Sequence, residues 1–74
     1  MSIYNLNQRS LEVLSYIARG YNNQAIATGM GIKHKTLKKY INNIYTELYL
    51  QVKSSYDPRV KATLMYKEYL NDVR

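Results

Sequence analysis

The chain contains no cysteine, phenylalanine or tryptophan, and it has a single histidine, His34. Without cysteine there are no disulfides and no thiolate metal sites, and one isolated histidine does not build a zinc site. Acidic residues are also scarce: there are five, spread over positions 12, 47, 57, 68 and 72. No nucleophile–base pair or pair of carboxylates emerges from this pattern, so the sequence argues against an enzyme and predicts no cofactor.

Long apolar runs are missing as well, and no charged-then-apolar leader opens the chain. These absences predict a cytoplasmic protein that has no membrane partner. The 74 residues form one domain, 1–74, which leaves no room for a separate small-molecule ligand domain. A domain of this size buries only about 60–65% of the surface of its unfolded chain, so dimerisation would add needed stability.

Positive charge is what the chain has in excess. Eleven Lys and Arg residues give a net charge of +6 and a pI near 9.7, which suits a nucleic acid or another acidic surface. Four of the eleven are Lys33, Lys35, Lys38 and Lys39, with no acidic residue among them. Cations at the start of a helix oppose its macrodipole by roughly 0.3–1 kcal/mol each. This cluster therefore favours an anionic partner, which we interpret as DNA phosphate.

Helical spacing of apolar residues dominates the chain, and no strand pattern is present. The spacing predicts an all-α domain with helices over about 8–19, 23–30, 34–48 and 58–72. The predicted inward residues are Leu11, Leu14, Ile17, Ala18 and Tyr21 in the first helix, Ile26, Ala27 and Met30 in the second, and Leu37, Tyr40, Ile41, Ile44 and Leu48 in the third.

Capping and breaking residues support these bounds. Asn7 is a candidate N-cap of the first helix, Asn22 or Asn23 of the second, and Asp57 followed by Pro58 of the fourth. Gly20 is expected to end the first helix, and Gly29 and Gly31 the second. The segment 50–56 lacks a helical stripe and is predicted to be a loop.

Residues 22–44 have the spacing of a helix-turn-helix. Ala27 is small enough for two helices to touch, and Gly31 can take the positive φ that the turn requires. Leu37 and Tyr40 follow at the distance where the second helix packs on the first. The opposite, polar face of the third helix is then free to enter a major groove. That face carries Lys35, Lys38, Lys39, Asn42, Asn43 and Thr46.

Several polar residues near this motif have both a functional and a structural interpretation. Asn42 can pair with adenine N6 and N7, or it can be an ordinary surface asparagine, and the lysines can simply solubilise an exposed helix. The capped N-terminus of the second helix can bind a phosphate. The candidate DNA-backbone contacts are Asn22, Asn23, His34, Lys35 and Thr36.

A wider set of residues recurs at specific spacings. It comprises Leu6, Asn7, Gln8, Arg9, Glu12, Val13, Leu14, Gly20, Asn23, Ile26, Ala27, Ile32, Thr36, Leu37, Lys38 and Ile44. With this set the chain resembles the LuxR/GerE-type helix-turn-helix domain over about 6–48, and more loosely in the fourth helix. It is similar to the stand-alone, single-domain members, which implies a transcription regulator. The nine tyrosines without Phe or Trp, together with many Asn, Lys and Ile residues, are typical of an AT-rich genome and indicate a bacterium, plasmid or phage.

The resemblance also implies roles for particular residues. It makes the third helix, about 34–48, the recognition helix, with Lys38, Lys39 and Asn42 as base-reading residues. It makes the fourth helix, about 58–72, a candidate dimerisation helix. The chain departs from the family at Lys33, where the family has a serine cap, at Tyr40, where it often has histidine, and in the longer 49–57 loop.

The fourth helix carries more apolar residues than a short helix needs to close a core. We interpret Met65, Tyr66, Tyr69, Leu70 and Val73 as a candidate homodimer interface; closing the core is the other interpretation. The leading hypothesis is a homodimeric regulator that reads double-stranded DNA. The alternative is a small adaptor or anti-regulator that binds RNA polymerase or another transcription factor.

Overall fold

The chain folds into four α-helices, and the part that the structure describes contains no strand. The computed structural model describes residues 3–50 and 55–73. The helices are α1 (Gln8–Ala18), α2 (Asn23–Met30), α3 (His34–Glu47) and α4 (Pro58–Asp72), and a short 3₁₀ turn, Ile3–Asn5, precedes α1. The predicted all-α architecture is confirmed, with helix bounds correct to within one residue. The predicted loop at 50–56 lies partly outside the described residues.

Local capping explains why three of the helices begin where they do. The side chain of Asn7 accepts a hydrogen bond from the N–H of Ser10 at 2.8 Å, and Asn22 accepts one from Ala25 at 2.9 Å. Asp57 accepts one from the N–H of Arg59 at 2.9 Å. Each cap satisfies a backbone donor that has no partner inside the helix. Asn22 is therefore the cap of α2, and Asn23 is its first residue.

Glycine has two different uses in α2. Gly31 follows the helix with φ +67°, the left-handed conformation predicted for the turn. The prediction that Gly29 breaks the helix is wrong, because Gly29 lies inside α2. A Cβ at position 29 would lie 3.0 Å from the hydroxyl of Tyr16 on α1. Gly29 therefore allows close approach between α1 and α2.

The core lies between α1, α2 and α3, with α4 packed mainly against α1. Its fully buried members are Val13, Leu14, Ile26, Leu37, Ile44 and Ala62. The predicted inward stripe of α3 is confirmed, with Tyr40 half-buried at its edge. Tyr21 is predicted to be inward but is 44% exposed, because α1 ends at Ala18 and Tyr21 lies in the following turn.

Apolar side chains surround α4 on more than one side. Met65, Tyr66 and Tyr69 are partly buried against the core, and the ring of Tyr69 meets that of Tyr4 at 5.2 Å. Leu70 and Val73 are 37% and 53% exposed. Within residues 3–50 and 55–73, no helix has both the length and the apolarity needed to cross a bilayer.

Candidate nucleic-acid interface

A tight turn fixes the relative position of α2 and α3. The N–H of Ile32 donates to the carbonyl of Ala27 at 3.0 Å, and that of Gly31 donates to Thr28 at 3.2 Å. Ala27 is only 5% exposed and Leu37 is fully buried, so both are in the core. This is the helix-turn-helix geometry expected from the spacing, and it leaves the polar face of α3 outside.

The three base-reading candidates share that outer face. Lys38, Lys39 and Asn42 are all exposed and fall within about one turn of α3. Among residues 3–50 and 55–73 the one ion pair joins Arg9 and Glu12 on α1, at 3.2 Å. The lysines of α3 take no part in that pair, so the exposed face carries a positive potential.

Asn43 differs from Asn42 in having a partner on another helix. Its Nδ2 donates to the Oγ of Ser10, on α1, at 3.2 Å, and Ser10 is completely buried. Asn43 is exposed, as predicted for the polar face of α3, but its amide also bonds to α1, whereas Asn42 has no such contact among the described residues. A step of one residue rotates a side chain by about 100° around a helix, so Asn43 lies nearer to α1 than Asn42 does.

The N-terminus of α3 has cations but no side-chain cap. Lys33 occupies the cap position in an extended conformation, φ −78° and ψ 153°, and its side chain makes no capping hydrogen bond. No acidic residue lies in the first turn, and Lys33, His34 and Lys35 are exposed, while Thr36 is half-buried. Uncapped N–H groups beside positive side chains form an arrangement that suits a phosphate.

The N-terminus of α2 is more tightly organised. The side-chain oxygen of Asn22 is occupied as the cap. Asn23 is half-buried, and its Oδ1 accepts a hydrogen bond from Nη1 of Arg59 at 2.9 Å. Nη2 of Arg59 donates to the carbonyl of Tyr21 at 2.7 Å. The structure thus places both predicted asparagines at the start of α2, but with different partners.

Two arginines near this point were missed as site residues by sequence reasoning. Arg59 lies 36 residues from its partner Asn23, so no local pattern could reveal the contact. The one available signal was the looser resemblance to the LuxR/GerE-type domain in the fourth helix. Arg19 lies 4.6 Å from the ring centre of Tyr16 and 5.5 Å from that of Tyr21. These cation–π contacts hold an exposed cation beside the turn that leads into α2.

The Tyr45 hydroxyl lies close to Arg59 on the α3 side. Burial raises the pKa of Tyr45 above its ordinary value of 10.0, and the Arg59 guanidinium opposes this rise because it favours the ionised phenolate. The Arg59 side chain therefore extends from the start of α4 towards both α2 and α3. In the described part of the chain, no group of three His, Asp or Glu side chains is arranged to hold a metal.

Comparison with known proteins agrees with this geometry. Residues 4–57 match the family described as bacterial regulatory proteins, luxR family. The chain is similar to the response regulator protein VraR of Staphylococcus aureus (strain NCTC 8325 / PS 47) and of Staphylococcus saprophyticus subsp. saprophyticus, with 44% identity over 46 residues in each case. VraR of Staphylococcus epidermidis gives the same values.

These matches cover 62% of this chain but only 22% of each relative, so the chain spans about a fifth of the curated proteins it resembles. No solved structure gives a match. The family match covers well over half of the chain and includes the whole helix-turn-helix. The resemblance predicted from the residues is confirmed: the chain belongs to the luxR family of bacterial regulatory proteins, as a helix-turn-helix domain.

Proposed function

We propose that this protein is a cytoplasmic transcription regulator that binds double-stranded DNA as a homodimer and reads its sequence with α3. The observation that carries the proposal is the exposed, acid-free face of α3, with Lys35, Lys38, Lys39 and Asn42, on a helix-turn-helix of the luxR family. Membership in a family of regulatory proteins also argues against an enzyme.

The outer face of α3 has suitable chemistry for base edges. A lysine donates to O6 and N7 of guanine, and an asparagine pairs with N6 and N7 of adenine. We therefore assign Lys38, Lys39 and Asn42 to the bases in the major groove. The 14 residues of α3 span about 21 Å, which is long enough to cross a groove about 12 Å wide.

The two helix N-termini supply contacts to the backbone. At α3 the exposed His34 and Lys35, with Thr36 beside them, surround uncapped N–H groups. At α2 Asn22 and Asn23 occupy the cap and the first position. Phosphate contacts set register and overall affinity rather than sequence preference. If a dimer neutralises about eight phosphates, log K should fall with log salt at a slope near −7.

The test is to select bound fragments from random DNA and to measure affinity for the selected site and for a scrambled one. Lys38→Ala and Asn42→Ala should each cost about 1–3 kcal/mol on the selected site and relax base preference. Lys35→Ala should weaken both DNAs equally. Lys67→Ala, which removes an exposed cation from α4, is the control. Unchanged binding by both Lys38→Ala and Lys39→Ala would refute the assignment.

The second candidate function is an adaptor or anti-regulator that binds RNA polymerase or another transcription factor. The exposed Leu64 of α4 and Val73, which directly follows α4, favour it, because apolar surface of this kind suits a protein partner. A mobility shift on random DNA at increasing salt separates the two functions. An adaptor would shift every sequence weakly or not at all.

A further inference from the structure

Arg59 connects α4 to the N-terminus of α2 through two hydrogen bonds that no local sequence pattern predicts. We propose that Arg59 is a positioning residue that orients the side-chain amide of Asn23 so that its N–H₂ group donates to a DNA phosphate. The proposal rests on the proposed function, since it assigns a role within the same DNA interface.

The orientation of the Asn23 amide follows from donor and acceptor chemistry. A guanidinium carries only donors, so the atom of Asn23 that faces Arg59 must be the carbonyl oxygen Oδ1. The Nη1–Oδ1 distance is 2.9 Å. Nδ2 therefore points away from Arg59, and within the described residues it donates to no acceptor. The contact leaves Asn23 with a fixed donor group at the start of α2.

The position of Arg59 is itself well determined. Its backbone N–H donates to the carboxylate of Asp57 at 2.9 Å, and its carbonyl accepts from Thr63 at 3.0 Å. Its second guanidinium nitrogen, Nη2, donates to the carbonyl of Tyr21 at 2.7 Å. Two parallel donors from a planar fork hold one geometry better than a single ammonium can. Arg59 thus ties Asn23 and the turn before it to one helix.

The charge of Arg59 is not consumed by an ion pair. In residues 3–50 and 55–73 the single ion pair lies elsewhere, between Arg9 and Glu12, and the oxygens that accept from the Arg59 guanidinium, on Asn23 and Tyr21, are neutral. A hydrogen bond from a cation polarises the amide that accepts it and strengthens the donors at the other end. Asn23 is therefore a better phosphate donor with Arg59 in place than without it.

The experiment measures DNA affinity against salt for Arg59→Ala, Asn23→Ala and the double variant, on the DNA selected by the wild-type protein. Either single change should weaken binding roughly tenfold, the order expected for one hydrogen bond to a charged oxygen. The double variant should be no weaker than Asn23→Ala, because Arg59 acts through Asn23. The slope of log K against log salt should stay as in the wild type.

Two reference variants sharpen the comparison. Lys35→Ala should reduce the slope by about 0.9 for each phosphate it releases, which calibrates the loss of a direct cation contact. Asn23→Asp keeps an acceptor for Arg59 but replaces N–H₂ with an oxygen, so it should bind DNA at least as poorly as Asn23→Ala. Because Asn23→Asp retains the contact with Arg59, it tests the phosphate donor even if Arg59→Ala fails to fold.

The outcomes separate the possibilities. A smaller slope in Arg59→Ala would show that Arg59 itself neutralises a phosphate, and additive losses in the double variant would show a general effect on the fold. Wild-type affinity in Asn23→Asp would show that the N–H₂ group is not needed. Each of these results overturns this inference alone. If the wild-type protein selects no DNA, the proposed function fails and this inference fails with it.

Discussion

Neighbouring asparagines in this protein have different tasks, although their side chains are identical. Asn42 is exposed on the outer face of α3, whereas Asn43 donates to the buried Ser10 of α1. Asn22 caps α2 by accepting from a backbone N–H, whereas Asn23 accepts from Arg59. The sequence identifies these four residues as important, but it cannot separate the members of each pair. In each pair, one member, Asn43 or Asn23, has a side-chain partner that is distant in the chain, and the local sequence does not show which member that is.

Gly29 provides a prediction at this scale, because its role is close packing rather than helix termination. Gly29→Ala should gain about 0.5–1 kcal/mol of helix propensity. Part of that gain is lost because the new Cβ would lie 3.0 Å from the Tyr16 hydroxyl. In a Tyr16→Phe background the nearest atom, Cζ, is 3.3 Å away, so the same change should be more stabilising. Urea unfolding of the four variants measures the difference, and an equal effect in both backgrounds would contradict it.

At the scale of whole helices, local signals were sufficient. Caps at Asn7, Asn22 and Asp57 and the periodic apolar residues of α3 predicted the bounds, because each depends on contacts within a few positions. The error at Gly29 arose because the determining contact, with Tyr16, is distant in the chain. The bond from Asn43 to Ser10 is equally distant, and no local pattern indicated it. The side-chain partner of Asn23, Arg59, was missed for the same reason. Local sequence patterns cannot predict contacts between residues that are distant in the chain.

The uncapped start of α3 supports a second prediction. Lys33→Ser supplies the missing cap and removes a cation from the positive end of the helix dipole, so unfolding should require about 1 kcal/mol more. For a domain of this size that corresponds to a rise of roughly 4–8 °C in Tm. Thermal unfolding by circular dichroism measures it. Lys38→Ser is the matched control, since it removes an exposed cation of α3 without supplying a cap. Equal Tm values for the two variants would show that the cap is not limiting.

At the scale of the whole molecule, the unsettled feature is the apolar surface of α4. Of the five predicted dimer residues, Met65, Tyr66 and Tyr69 pack partly against their own core, while Leu70 and Val73 are 37% and 53% exposed. Leu64 is 52% exposed and, nine residues before Val73, lies half a turn away around the helix. The helix therefore offers two separate faces to a partner.

The proposed homodimer uses the Leu70 and Val73 face, which yields a third prediction. Leu70→Asp and Val73→Asp should each weaken dimerisation more than tenfold, because burying one such side chain contributes about 1.5–3 kcal/mol. Sedimentation equilibrium of the free protein measures the dissociation constant. Leu64→Asp, on the other side of α4, should leave it unchanged. Dissociation by Leu64→Asp but not by Val73→Asp would assign the dimer to the other face.

The hydrogen bond from Arg59 to Asn23 has a thermodynamic consequence for the proposed dimer. The Arg59 side chain connects α4, the proposed dimerisation helix, to α2, whose N-terminus we propose contacts the DNA backbone. Dimerisation and operator binding are then thermodynamically linked, and such linkage is reciprocal. If dimerisation raises the affinity for the operator by some factor, binding of the operator raises the dimerisation constant by the same factor.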